Sequence, residues 1–208
     1  MEIKILSVGP FQTNCYVVGS TAANRGLIID PGADASGILG VVKRLGWSIS
    51  TIVLTHAHMD HFGALKQVRE ATGGSFAIHE DETKMLSGNL NRILAQMGSS
   101  PADLPAQPER LLKENDLVGE ADFMLKVLHT PGHSPGGICL QGDGIVFSGD
   151  TLFNMGVGRT DFPGCSEELL YKSIENKLMK LPDDTVVYPG HGPSTTIGNE
   201  RRGNPFIR

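Results

Sequence analysis

In Thr51-Ile52-Val53-Leu54-Thr55-His56-Ala57-His58-Met59-Asp60-His61-Phe62 an apolar run is followed by three imidazoles and a carboxylate within six residues. Four donors packed that closely are hard to explain without a cation. The run 51–55 predicts a short buried β-strand. Phe62-Gly63-Ala64-Leu65-Lys66-Gln67-Val68 predicts the start of a helix reaching residue 71, so the donors fall in a strand-to-helix loop. Loops at the carboxyl ends of strands are where α/β proteins usually build their sites.

Three later fragments follow the same plan. His133 sits in Thr130-Pro131-Gly132-His133-Ser134-Pro135-Gly136, Asp150 in Phe147-Ser148-Gly149-Asp150-Thr151, and His191 in Tyr188-Pro189-Gly190-His191-Gly192. Each comes just after an apolar run, at 123–128, 145–147 and 185–188. Seven candidate ligands therefore lie past predicted strand ends, and they include five of the seven histidines in the chain. The other two, His79 and His129, fall outside the pattern and are assigned surface or supporting roles.

The series HxHxDH followed by a separated His, Asp and His resembles the metallo-β-lactamase superfamily, and Ile28-Ile29-Asp30-Pro31-Gly32 resembles its early Asp-x-Gly turn. Residues 130–136 (TPGHSPG), 147–153 (FSGDTLF), 156–164 (GVGRTDFPG) and 195–206 (TTIGNERRGNPF) are similar to small single-domain relatives of glyoxalase II, the hydroxyacylglutathione hydrolases. The resemblance implies an α/β fold, the four-layer αββα sandwich. It implies that His56, His58 and His133 hold one divalent metal, that Asp60, His61 and His191 hold a second, and that Asp150 bridges them. Zinc is the first expectation, and iron or manganese suits the same donors. Two such ions ~3.5–4 Å apart share a water and lower its pKa from ~15.7 to near 7. Asp60 is also expected to hold or receive that water's proton. Asp30 is expected to orient a loop rather than bind metal.

Arg159 lies nine residues after Asp150, at a position similar to that of a glutathione-binding lysine of glyoxalase II. The resemblance implies that it binds substrate, whereas the residues alone equally allow an ion pair with Asp161. The implied reaction is hydrolysis of a thioester, S-(2-hydroxyacyl)glutathione, to a 2-hydroxy acid and glutathione. A thiolate leaving group, with an ordinary thiol pKa near ~8.5, needs little help from a general acid. Alternatives on the same residues are an iron-dependent persulfide dioxygenase using His56, His133 and Asp150, and a lactonase or other ester hydrolase. β-Lactamases fit less well, because the zinc enzymes of that activity are exported and the commonest place Cys at the position of Asp150. Two departures from glyoxalase II are visible: no helical domain follows His191, and Phe76-Ala77-Ile78-His79 carries no tyrosine.

Composition agrees with a soluble globular chain: 208 residues, 39% hydrophobic and 20% charged, read as one domain over 1–208. A net charge of −5 and the lack of a basic insertion argue against nucleic acid as a partner. No window approaches ~18 apolar residues, and the N-terminus lacks a secretory pattern, so neither a membrane nor export is expected. Three cysteines without CxxC spacing suit a reducing cytoplasm, with Cys15 and Cys139 in strands and Cys165 exposed. No phosphate loop is present, since Gly73-Gly74 lacks a following Lys-Ser/Thr. Elsewhere, strands are predicted near 2–8, 14–19, 26–30, 75–78, 123–129 and 185–188, and a hairpin across Gly142-Asp143-Gly144. Helices are predicted over 34–46, 80–97 and 167–180, the last capped by Ser166, with a loop over 98–108.

Overall fold

Strands β1 (Glu2–Val8), β2 (Thr13–Ser20) and β3 (Arg25–Ile29) form an antiparallel meander, which continues in parallel through β4 (Ser48–Val53), β5 (Ser75–His79) and β6 (Arg110–Leu112). The computed structural model describes residues 1–87, 107–120 and 122–207. The parallel steps need crossovers: α1 (Ala35–Leu45) lies in the one from β3 to β4, and the single turn α2 (Met59–Phe62) and α3 (Leu65–Thr72) in the one from β4 to β5. Helix α1 begins where the Asp34 carboxylate accepts from Gly37 N–H, and it stops at the left-handed Gly46.

The second sheet has the order β14-β13-β10-β9-β8-β7, from β7 (Leu117–Val118), β8 (Leu125–His129), β9 (Ile138–Gly142), β10 (Ile145–Gly149), β13 (Val186–Pro189) and β14 (Thr195–Thr196). The step from β10 to its parallel neighbour β13 runs through the ribbon β11 (Leu152–Phe153) and β12 (Gly156–Val157), then α5 (Glu167–Asn176). The Ser166 hydroxyl accepts from Leu169 N–H, and Glu167 and Glu168 occupy the favourable first turn of α5. A short helix α4 (Thr83–Ser87) follows a 3₁₀ turn at Glu80–Glu82, and α6 (Ile197–Gly203) follows β14.

Three apolar layers separate four structural ones. Ile28, Ile52 and Phe76 pack with Ile38, Val42 and Val68 beneath α1 and α3. Tyr16, Leu27, Ile29 and Val53 meet Phe123, Val127, Leu140 and Phe147 between the sheets. Cys139, Val146 and Val187 pack against Leu170 and Ile174 of α5. The result is the αββα sandwich, with Cys15 and Cys139 buried in strands as expected and Cys165 half-buried rather than exposed.

Several boundaries differ from expectation. The strand expected at 51–55 runs Ser48–Val53, which frees Leu54 and Thr55 to turn toward the site. The helix expected over 62–71 is split: Asp60 and His61 lie in the one-turn α2, closed by His61 N–H on His58 O at 3.0 Å, and not in an open loop. Helix α5 ends at Asn176 and hands over to a 3₁₀ turn, Leu178–Lys180. Of the helical region expected over 80–97, a turn and α4 account for 80–87. The remainder and most of the 98–108 loop lie outside the described residues. Among the described residues no helix is long and apolar enough to cross a membrane.

Candidate metal centre

Strands β4, β8, β10 and β13 open onto one edge of the sandwich, and the segments beyond them bring the seven sequence-predicted donors together. Three overlapping groups, His56/His58/His133, His56/His61/Asp150 and Asp60/His61/His191, each have their ligand atoms within 4.8 Å of one another. His58 Nδ1 lies 3.0 Å from His56 Nε2 and 2.9 Å from His133 Nε2. On the other side, His191 Nε2 lies 3.3 Å from His61 Nε2 and 3.1 Å from Asp60 Oδ2. Asp150 stands between the groups, its Oδ2 3.5 Å from His133 Nε2 and 3.6 Å from His191 Nε2.

The rear nitrogens explain why the front ones face each other. His133 Nδ1 donates to Arg159 O at 2.8 Å and His191 Nδ1 to Phe11 O at 3.1 Å, so each keeps its proton behind and presents a bare Nε2 lone pair. His56 Nδ1 meets Thr55 Oγ1 at 3.0 Å, and that hydroxyl donates to Asp30 Oδ2 at 2.7 Å. Asp30 Oδ2 also takes His61 Nδ1 at 2.9 Å, while its Oδ1 accepts from Thr55 N–H at 2.7 Å. Asp30 is thus the loop-orienting residue expected, and these contacts hold it at a left-handed φ of 51°.

Imidazole nitrogens that converge at hydrogen-bond distance share either a proton or a cation between them. Asp150 Oδ1, moreover, is buried and makes no hydrogen bond among the described residues, with His61 Nε2 standing off at 3.4 Å. A Cβ on Gly190 would overlap that same oxygen and press on His61, and one on Gly158 would press on His133, so backbone hydrogen replaces side chain where the donors converge. The donor set fits two cations of borderline or hard character.

Protonation in the metal-free chain follows the carboxylates. Burial, with His133 beside it, holds His58 at about 4, and burial with the neighbouring imidazoles keeps His56 well below its ordinary value. Burial opposes charge on His61 too, yet Asp150 and Asp30 outweigh it and raise the group well above normal. His191 is likewise raised, by Asp60 and Asp150 against its burial. Asp60 is held far below the usual carboxylate range despite burial, by His191 and His61.

Arg159 stands differently from the other predicted residues. Its guanidinium is exposed, makes a bidentate pair with Asp161 at 2.7 and 2.6 Å, and lies 4.2 Å over the Phe162 ring. The ion pair that the residues alone allow is present, and Arg159 also reaches the centre through its backbone carbonyl. His79 and His129 stack at 4.0 Å and 15°, beside Asp81. With Asp81 they form a further group whose ligand atoms lie within 4.8 Å of one another, outside the main cluster. Residues given no role from sequence also serve the site. Thr13 Oγ1 donates to Asp60 Oδ2 at 3.0 Å, and Asn14 Nδ2 holds the His191 segment through Pro189 O and Gly192 O. Phe162 and Phe153 flank the donors, 5.8 Å from His58 and 6.1 Å from His191 respectively.

The family model described as the metallo-β-lactamase superfamily matches residues 8–191. The chain belongs to this superfamily. It is similar to hydroxyacylglutathione hydrolase GloC of Haemophilus influenzae, 35% identical over 100% of this chain and 98% of that protein. The crystal structure of the BLEG-1 B3 metallo-β-lactamase matches with a TM-score of 0.90 and 37% identity over 99% of both chains. TTHA1623, solved in a di-iron-bound form, matches with a TM-score of 0.85 and 36% identity over 98% of this chain and 100% of that one. The superfamily member is a metallo-hydrolase by kinship, with a His/Asp cluster in the place such a protein needs it.

Proposed function

We propose that this chain is a single-domain, cytoplasmic binuclear metallohydrolase of the glyoxalase II type, cleaving S-(2-hydroxyacyl)glutathione to a 2-hydroxy acid and glutathione. One observation carries the binuclear part: two donor triads face each other across Asp150, whose Oδ2 is 3.5 and 3.6 Å from a histidine of each. The glutathione thioester is supported by similarity to GloC. His56, His58 and His133 would hold the first ion, and Asp60, His61 and His191 the second, with Asp150 available to both. Zinc is the first choice, and the di-iron form of TTHA1623 supports iron as an alternative. Bound there, the two ions supply a deprotonated water at neutral pH and an electrophile for the thioester carbonyl.

The chain's own groups orient and exchange protons. The carbonyls of Arg159 and Phe11 fix the tautomers of His133 and His191, and Asp30 with Thr55 fixes His56 and His61. Asp60 Oδ2, at the edge of the cluster and bonded to Thr13, is placed to take the proton lost by the attacking water. Water adds to the carbonyl carbon, the C–S bond breaks, and the departing thiolate needs little acid assistance.

A second reading, hydrolysis of a β-lactam amide, is favoured by the match to BLEG-1. Metal analysis followed by assays on S-lactoylglutathione, a β-lactam and, for oxygen uptake, glutathione persulfide distinguishes the readings. Two ions per chain with turnover of the thioester is the expected result. A single iron with oxygen consumption replaces it with a dioxygenase, and preferential β-lactam turnover with a lactamase.

A further inference from the structure

Glu82 is fully buried, and both of its carboxylate oxygens are committed to peptide N–H groups of different metal-binding segments. Its Oε2 accepts from Ala57 N–H at 2.8 Å, and Ala57 is the residue between His56 and His58. Its Oε1 accepts from Gly136 N–H at 2.6 Å, three residues past His133. Gly136 is shaped for this approach, since a Cβ there would sit 2.8 Å from both Glu82 Cγ and Glu82 N. We propose that Glu82 is a positioning residue that sets His133 in register with His56 and His58, and so controls the affinity of the first cation triad.

The chemistry singles out a carboxylate. An isolated buried carboxylate is strongly unfavourable, so one is retained where its lone pairs are used. Both partners here are donors, and a group with two acceptor oxygens satisfies them. The amide of glutamine would turn an NH₂ against one of the two peptide N–H groups. Ala57 follows β4 of the first sheet and Gly136 follows β8 of the second, so Glu82 fastens across the two halves at the level of the ligands. A backbone bond, Ile138 N–H to Thr55 O at 2.9 Å, joins the same two segments beyond Gly136, and Glu82 adds a second tie, one residue from both His56 and His58. Glu82 itself is aimed by the 3₁₀ turn Glu80–Glu82, which begins where Asp81 N–H donates to His79 Nδ1 at 3.3 Å. Outer contacts of this kind change metal affinity roughly 10–100-fold in other centres.

The role rests on the binuclear reading above, and its test is metal binding without substrate. Zinc titration against a chromophoric chelator is applied to wild type, Glu82→Gln, His58→Ala and the double variant. Glu82→Gln is expected to weaken one of the two ions roughly 10–100-fold and leave the other unchanged. Adding it to His58→Ala, which already lacks the first ion, should then cost almost nothing further. Wild-type affinity at both sites, whatever happens to the thermal midpoint of the metal-free protein, overturns the proposal, as does equal weakening of both. Amide exchange supplies a readout that survives a misfolded variant: Ala57 and Gly136 should be protected in the metal-free wild type, and rapid exchange of either removes the clamp. A protein that binds both ions with the expected dependence on Glu82 yet cleaves no thioester discards the substrate and leaves this role intact.

Discussion

At the scale of single residues, the donor cluster was readable because a cation site requires particular residue types at particular places. His56, His58, Asp60, His61, His133, Asp150 and His191 all converge. The groups that orient them were mostly unreadable, because the carbonyls of Phe11 and Arg159 carry no side-chain signature. His133→Ala removes a donor whose Nε2 lies 2.9 Å from His58 Nδ1 and 3.5 Å from Asp150 Oδ2. It should bind one ion fewer than wild type, by metal analysis, and lose at least ~10²-fold in kcat/KM, since a mispositioned nucleophile alone costs that much. Unchanged stoichiometry would mean that His133 is not a ligand. Arg159 leads to the opposite expectation. Its exposed guanidinium is already satisfied by Asp161, so Arg159→Ala should raise KM for S-lactoylglutathione by less than ~fivefold, with kcat unchanged. A thirtyfold rise in KM absent from a small thioester lacking glutathione would instead restore the substrate-binding role implied by the family resemblance.

Among the elements, legibility tracked length. The long strands and α1, α3 and α5 show their periodicity, whereas β6, β7, β11, β12 and β14 are two or three residues each, too short for alternation to register. Helix α6 was missed for another reason: its residues 197–203 belong to the family-like stretch TTIGNERRGNPF, whose role is structural. Glu200 is fully buried, with Oε1 accepting from Thr195 Oγ1 at 2.7 Å. Its Oε2 accepts from Met155 N–H at 2.9 Å and from Asn204 Nδ2 at 2.7 Å. One carboxylate therefore fastens α6 and β14 to the β11–β12 turn, which follows Asp150 directly. Glu200→Ala removes the acceptor of two buried donors, Thr195 Oγ1 and Asn204 Nδ2, and of the part-buried Met155 N–H, and should destabilise the protein by about 2 kcal/mol or more, read as a shift in urea midpoint. Because Glu200 touches no ligand, both metals should still bind below the unfolding transition. A variant with wild-type stability would show that the three contacts carry no net energy.

For the whole molecule, the αββα order of layers came from the family resemblance, which the alternating strands and helices matched, and the apolar layers lie away from the edge where the donors converge. Val53, Leu27 and Ile29 of the first sheet meet Phe123, Val127 and Phe147 of the second in an interface that no metal ligand enters. Folding should therefore not require the cations, unlike small metal-nucleated domains, whose core cannot form without them. Cations bound in the proposed centre would nonetheless join segments from both sheets, because His56 and His58 follow β4 while His133 follows β8, so binding would be linked to the folded state alone. With free zinc at ~1,000 times the dissociation constant of one site, that linkage is worth about 4 kcal/mol. For a chain of this size 1 kcal/mol corresponds to ~2–4 °C, so chelator-treated protein should keep its native circular dichroism and unfold ~8–16 °C lower for each site emptied. Calorimetry over a zinc series measures this directly. A metal-free chain that is unfolded at 25 °C would show that the interface between the sheets is insufficient by itself, and a midpoint indifferent to zinc would mean that the seven converging side chains do not hold the ion.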